Sequence, residues 1–275
     1  MSKSIASTVV AAALFALGSQ AAIAAPDWSK VAKRDINVFH AGATPIEWMT
    51  KKSDHSGSAG MRKGETCIGC HEEKGTLNFN FKRLADKELE PKGAPKTMMF
   101  PVSVQAAYDA ANLYIRLTFK APAGGADKGD KDNELKATLL FADATVPQGD
   151  QYGCWQSCHT DARTMPGAAD DKKTKYTPAG AYELVQWASK GNKVSDGSVT
   201  TERKMTGGTS GAKAEAVKSG DSYTITYTVK NPGEGKVVPF GIAIHADNAS
   251  GRFHHVSLGY KLGIGADGDV KATKQ

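Results

Sequence analysis

Two-residue alternation marks the clearest elements of this chain. Leu113, Ile115, Leu117 and Phe119 are apolar, with Tyr114, Arg116 and Thr118 between them, the pattern of a half-buried strand. Tyr223–Val229 interleaves Tyr, Ile, Tyr and Val with three threonines. Pro101–Ala107, Ala137–Ala142, Val238–His245 and Phe253–Tyr260 also read as strands. Repeated short strands separated by turn residues predict a mainly β fold, an antiparallel β-sandwich, over residues 96–275. The spacing at Ala181–Ser189 predicts a helix. Ala121–Asp132 and the polar stretch Lys190–Lys213 read as loops, and residues 147–175 as a long inserted loop. Residues 25–95 show little regular pattern and form a small, mostly irregular or helical region, with short helices expected at Ile46–Lys52 and Leu77–Leu89.

Residues 1–24 have a different texture. Lys3 gives a positive start, Ile5–Leu17 is apolar except for Ser7 and Thr8, and Ala22-Ile23-Ala24 is a small-x-small pattern. This is the layout of a secretory signal peptide cleaved near Ala24. The alternative, a membrane anchor, is disfavoured because the run is short for a span and no stop-transfer charges follow it. The expectation is an exported, periplasmic protein whose mature form does not span the membrane.

Hydrophobic residues make up 40% of the 275 positions and charged residues 23%, which excludes a disordered chain. The net charge of +6, from 35 basic and 29 acidic residues, is mild. No Lys/Arg block interleaved with aromatics occurs, so nucleic acid is not an expected partner. The 4 cysteines are too few for a disulfide scaffold of this size, but they fall into two close pairs.

Each pair is followed by histidine. Cys67-Ile68-Gly69-Cys70-His71 is the C-x-x-C-H signature of c-type haem attachment. Two thiols reach the two vinyl groups of one porphyrin, and the next residue sets an imidazole beneath the iron. Cys154-Trp155-Gln156-Ser157-Cys158-His159 has one more residue between the thiols. Its rivals are a local disulfide with His159 incidental, or a zinc site joining both pairs. Use of all the cysteines in two similar motifs, with Tyr152 and Trp155 beside the second, favours two covalently bound c-type haems, each carrying iron, with His71 and His159 as proximal ligands.

The opposite face of each iron takes a further ligand or stays open, and the choice sets potential and reactivity. His55 lies twelve residues before Cys67, far enough for a loop to fold back over the first haem. His40 and Met61 rank behind it. For the second haem the candidates lie in the late strands. Period-two alternation puts His245 and His255 on faces of small residues that leave room for a flat macrocycle. It places His254 among core residues, as a weaker candidate. A bulge would flip this sorting.

From about Met98 to Lys261 the chain resembles the haem-binding β-sandwich of the ethylbenzene dehydrogenase and dimethyl sulfide dehydrogenase gamma-subunit type. The resemblance lies in Val104–Leu117, Phe240–His245 and Phe253–Tyr260. The stretch from Trp48 through His55 and Gly64 to His71 looks like the covalent-haem extension of dihaem cytochromes built on that domain. Gamma subunits of this type hold a b-type haem through methionine and lysine. Cys154 and Cys158 depart from that, so those axial residues do not carry over. The resemblance implies electron exchange with a periplasmic or membrane-bound redox protein, such as a molybdenum oxidoreductase or a quinol-oxidising cytochrome. The expected function is a periplasmic dihaem electron carrier with no catalytic residue of its own. The rival is a haem enzyme acting on peroxide or a nitrogen oxide at a five-coordinate iron. A haem sensor or haem carrier is a third possibility.

Overall fold

The alternating segments do fold as strands, and nearly all of them join one sheet. The computed structural model describes residues 25–40, 49, 52, 55–80, 97–122, 135–143, 146, 148–155, 182–199, 203–205, 211–245 and 255–275. In chain order its elements are β1 (Arg34–His40), α1 (Ser58–Arg62), α2 (Cys67–His71), β2 (Glu72–Glu73), β3 (Thr76–Leu77), β4 (Met99–Tyr108), β5 (Asn112–Lys120), β6 (Lys136–Ala142) and α3 (Gly149–Tyr152). There follow β7 (Tyr182–Ala188), β8 (Lys193–Val199), β9 (Arg203–Lys204), β10 (Lys213–Ser219), β11 (Ser222–Lys230), β12 (Lys236–His245), β13 (His255–Val256), β14 (Tyr260–Ile264) and β15 (Val270–Lys274).

The strand order is β10-β11-β5-β4-β1-β13-β12-β6-β7-β8-β9, with β14 beside β12 and β15 between β14 and β4. The strands β4, β1, β13, β12, β14 and β15 therefore close into a ring. Two arms leave it, one through β5 and the other through β6. The arms pack face to face, burying Leu113, Ile115, Leu117, Ile225 and Tyr227 with Ala137, Leu139, Val185 and Trp187. At their centre the Tyr227 hydroxyl donates to the Ala137 carbonyl at 2.7 Å. The pairing is antiparallel except where β15 meets β14 and β4. The mainly β sandwich expected from the pattern is the observed fold.

The arm strands also carry the main corrections. Ala181–Ser189 is not a helix; its core is β7, paired with β6 and β8. Both faces of β7 are buried. Tyr182 and Leu184 enter one apolar cluster and Val185 and Trp187 another. Burial on both faces erases the alternation, and what remains mimics i, i+3 spacing. Nor is 190–213 a continuous loop, because it holds β8 and β9. A four-residue turn with Gly191 at φ 74° and Asn192 at φ 50° connects β7 to β8, between the paired Ala188 and Lys193. β8 lies outside β7, where polar residues are tolerated.

The N-terminal region is more regular than its sequence suggests. β1 sits inside the ring, paired with β4 and β13. Ile36 and Val38 face the sandwich core, while Phe39 faces a second apolar cluster. The described start of the helix expected at Leu77–Leu89 is strand β3; residues 81–96 lie outside the described part. So does the helix expected at Ile46–Lys52, apart from positions 49 and 52, and so do residues 1–24. Phe253–Tyr260 is also broken. Ala243 opposes Val256, but Phe240 opposes Tyr260, so β13 and β14 carry one extra residue between those pairs. Val256 and Leu258 accordingly face the second cluster, and Tyr260 faces the core.

The β4–β5 turn depends on one carboxylate. Asp109 Oδ1 accepts from the backbone N–H of Ala111 and of Asn112, both at 2.7 Å, and Oδ2 accepts from the Tyr114 hydroxyl at 2.7 Å. Burial alone would raise the Asp109 pKa, but these hydrogen bonds outweigh it and hold the carboxyl below the usual range. We expect Asp109→Ala to cost about 1–3 kcal/mol near neutral pH. For a depressed pKa, the ionic part of this stabilisation is present above the unfolded value of about 4 and is lost as pH falls through the folded value. Urea midpoints of wild type and variant should therefore converge in acid. A gap that stays constant to pH 3 contradicts this role.

Candidate haem-binding sites

The first motif is a helix whose register does the placing. Thr66 caps α2, its hydroxyl accepting from Gly69 N–H at 3.2 Å. Within α2, Cys67, Cys70 and His71 stand at i, i+3 and i+4, and so share one face. Cys67 is buried, and burial pushes its thiol pKa up to about 12. Cys70 is exposed, and the two are free thiols. The helix is fastened at its C-terminal end. Arg34 Nη2 donates to Glu72 Oε1 at 2.6 Å, and the Tyr260 hydroxyl donates to Glu72 Oε2 at 3.3 Å. Asn37 Nδ2 donates to the Gly75 carbonyl in the β2–β3 turn. Residues of β1 and β14 thus anchor the segment to the ring.

His55 and His71 are brought together across a cleft. Their ring centres lie 5.9 Å apart, with planes inclined at 32°. His71 Nδ1 is 3.0 Å from Asn78 Oδ1, and His55 Nδ1 is 3.0 Å from the Met49 carbonyl oxygen. Both partners only accept, so both Nδ1 atoms donate, and in the neutral ring the lone pair sits on Nε2. This is the outer arrangement that orients metal-binding histidines. Two imidazoles on opposite sides of one metal, each with a bond of about 2 Å, have ring centres roughly 6 Å apart. The cleft measures about 320 Å³ and is bordered by both thiols, both imidazoles, Met61 and Gly57. A Cβ on Gly57 would come within 2.9 Å of the His55 ring. These residues fit a covalently attached haem.

The second motif approaches the sheet through glycines. Gly153 has φ 52°, and a Cβ there would stand 2.4 Å from the Leu258 carbonyl oxygen. A Cβ on Gly241 would stand 2.7 Å from the Cys154 nitrogen, and one on Gly259 would meet the Asp150 carbonyl carbon at 2.5 Å. The small face of β12 therefore receives the backbone leading to the thiol. Cys154 is fully buried, with Tyr152 and Trp155 beside it. Gln151 Nε2 donates to the carbonyls of Met61 and Glu65, at 3.0 and 2.6 Å, tying this segment to the turn before Cys67. Cys158 and His159 lie outside the described residues, as does His254.

The remaining histidines divide by face. His255 opposes both His40 and Ile244 in register, so these three share the side of the sandwich core. His255 is fully buried, its Nε2 donates to the Thr97 carbonyl at 2.6 Å, and its ring meets Phe100 edge-on at 4.9 Å. Burial pushes its pKa down to about 4, assisted by His40 and opposed by the Thr97 carbonyl. The rings of His40 and His255 are 6.1 Å apart. His245 follows Ile244 and so points to the opposite side, the face of Gly241 and Ala243 on which the Gly153–Cys154 backbone rests. It is buried, four residues or roughly 13 Å along the strand from Gly241.

Asn78, Gln151, Gly57 and Gly153 were not evident as site residues in the sequence. Gly153, next to Cys154, was the only one with a local signal. The others act through contacts between separate segments, which periodicity does not encode.

A family model described as ethylbenzene dehydrogenase matches residues 25–235. Cytochrome c-551 of Rhodocyclus tenuis is 49% identical over 255 residues, spanning 91% of this chain and 100% of that protein. Cytochrome c-552 of Stutzerimonas stutzeri is 45% identical over 294 residues and covers 100% of both chains. Among solved structures, a carbohydrate binding module family 9 from Caldicellulosiruptor kristjanssonii in complex with glucose aligns over 57% of this chain and 65% of that one. Its 10% identity and TM-score of 0.31 give it no bearing on fold or function here.

The glycine contacts make a prediction about thiol access. In haem-free protein, Cys70 should react with a maleimide while Cys67 and Cys154 are shielded. Gly241→Val forces the Cys154 backbone away and should cost about 1–3 kcal/mol. Alkylation followed by peptide mass mapping should then find Cys154 modified in the variant and protected in the parent. Equal protection in both contradicts the close approach.

Proposed function

The chain belongs to the ethylbenzene dehydrogenase family and is a c-type cytochrome, and on that premise we propose that it is a periplasmic dihaem electron carrier. A c-type haem, when bound, lets its iron alternate between ferric and ferrous and so holds one electron. The residues of this chain decide where each haem sits and how its iron is ligated. Cys67 and Cys70 would supply the thioether bonds of the first haem, and Cys154 and Cys158 those of the second, with His71 and His159 as the histidines that would ligate iron beside them.

The observation that carries the proposal is the facing pair His55 and His71, each with its Nδ1 proton engaged and its Nε2 lone pair available. Together these two imidazoles would occupy the ligand positions of a bound haem iron and leave no place for substrate, which suits electron transfer. For the second haem we assign His245 as the distal ligand. It shares the face on which the Cys154 backbone rests, whereas His255 has its Nε2 committed to Thr97 and lies on the core side. His40 accompanies His255.

Export rests on residues 1–24, which have the charge and apolar layout of a signal peptide. Among the described residues no helix is long and apolar enough to cross a membrane. Partners would be periplasmic or membrane-bound redox proteins. The net charge of +6, which becomes +5 when Lys3 leaves with residues 1–24, favours docking on an acidic face, with an association rate that falls as salt is raised.

Two measurements test this function. The intact mass of the mature protein should exceed that of the polypeptide by two haems, neither of them extracted by acid–acetone. An increment of one haem leaves the second motif without its role. Substitution tests the ligands. His55→Ala should keep the haem attached yet open a site for carbon monoxide, and His55→Met should raise the potential of that haem. His245→Ala should do to the second haem what His55→Ala does to the first, with His255→Ala lacking that effect. Carbon monoxide binding to the unaltered protein at either haem would favour the small-molecule enzyme instead.

A further inference from the structure

Four aromatic side chains form a continuous line between the two cysteine motifs. The His71 ring meets Phe79 edge-on, with centroids 4.9 Å apart. Phe79 meets Phe39 edge-on at 5.0 Å, and Phe39 meets Trp155 edge-on at 5.4 Å. Trp155 adjoins Cys154 in sequence, and both are buried in one apolar cluster with Cys67 and Phe39. Each step lies within the range of favourable edge-to-face contact. Phe39 comes from β1 in the ring, Phe79 from the segment after β3, and Trp155 from the end of the α3 segment. Three separate parts of the chain therefore meet to make the line.

We propose that Phe79, Phe39 and Trp155 form the medium through which the two haems exchange electrons inside one molecule. The inference rests on the dihaem reading above and adds the route between the centres. Electron tunnelling decays faster across a gap than across packed atoms, and well-packed interiors leave few gaps. Phenylalanine is neither oxidised nor reduced at biological potentials, and tryptophan loses an electron only far above the potentials of haem iron, so the rings act as a bridge and not as stopping points. One electron leaves a ferrous centre, which becomes ferric, and arrives at the ferric centre, which becomes ferrous. No bond is made or broken and no proton moves. Phe39 is the central member: it is fully buried and contacts both neighbouring rings.

The test uses the holoprotein, half reduced, with intramolecular exchange followed by NMR exchange spectroscopy on the haem methyl resonances. Phe39→Ala leaves a cavity in the middle of the line and should slow exchange by about tenfold or more. Phe39→Tyr, which keeps the ring, should preserve the rate. Midpoint potentials and low-spin EPR signals of both haems are recorded alongside, and they should stay near their wild-type values, which separates a bridge from a general loss of structure. Should Phe39→Ala fail to fold, Phe79→Leu removes a ring at the partly exposed end and is expected to slow exchange in the same sense. Two intact haems with exchange unchanged in these variants overturn the bridge and leave the dihaem reading standing. A single haem in the unaltered protein overturns both.

Discussion

The attachment of two short cysteine-bearing segments to one rigid ring of strands is the constraint on which the rest depends. Neither α2 nor α3 is long enough to be stable as an isolated helix. Each is held by what it touches. Glu72, at the end of α2, is gripped by Arg34 and Tyr260 from the ring. α3 lies against β12 and the β13–β14 connection because Gly241, Gly153 and Gly259 permit contact between backbones. Gln151 then joins the two segments through the carbonyls of Met61 and Glu65. A haem held by such segments inherits its position from the sheet.

This arrangement explains why the N-terminal region needs only short helices and strands among its described residues outside β1. Its apolar groups pack on the sheet as well as on one another. Phe39, Met61, Cys67 and Leu77 share a cluster with Leu140, Cys154, Trp155 and Leu184. The first site is thereby built partly from β1, a ring strand, and partly from a loop that presents His55. The oxygens of Met49 and Asn78 engage Nδ1 of the two imidazoles that border the cleft, so Nε2 is the nitrogen left for a metal. Such preorganisation lowers the entropy cost of ligation.

Much of this was legible in the sequence, and the failures have physical causes. Residues 113–119 and 223–229 bury one face and, Tyr114 apart, half-bury the other, so their alternation survived and the sandwich followed from it. Residues 182–188 bury both faces, and the signal became ambiguous with a helix. β8 is polar because it lies far from the centre of its arm, and so it read as part of a loop. The bulge between Val256 and Tyr260 separated the faces of β13 and β14, a break that simple alternation does not encode. The motif Cys67–His71 was plain because its spacing is set by the porphyrin. Reach alone pointed to His55 as the partner of His71. Choosing His245 over His255 required the strand register, since both looked alike as histidines beside small residues.

The central claim is that each iron is held on both sides by this chain's own side chains, so that the protein passes electrons and leaves no position for substrate. Low-temperature EPR of the oxidised, fully loaded protein tests it most directly. Two low-spin ferric signals of equal intensity, with no axial high-spin signal, are the predicted result. A high-spin signal accounting for one of the two haems would contradict it.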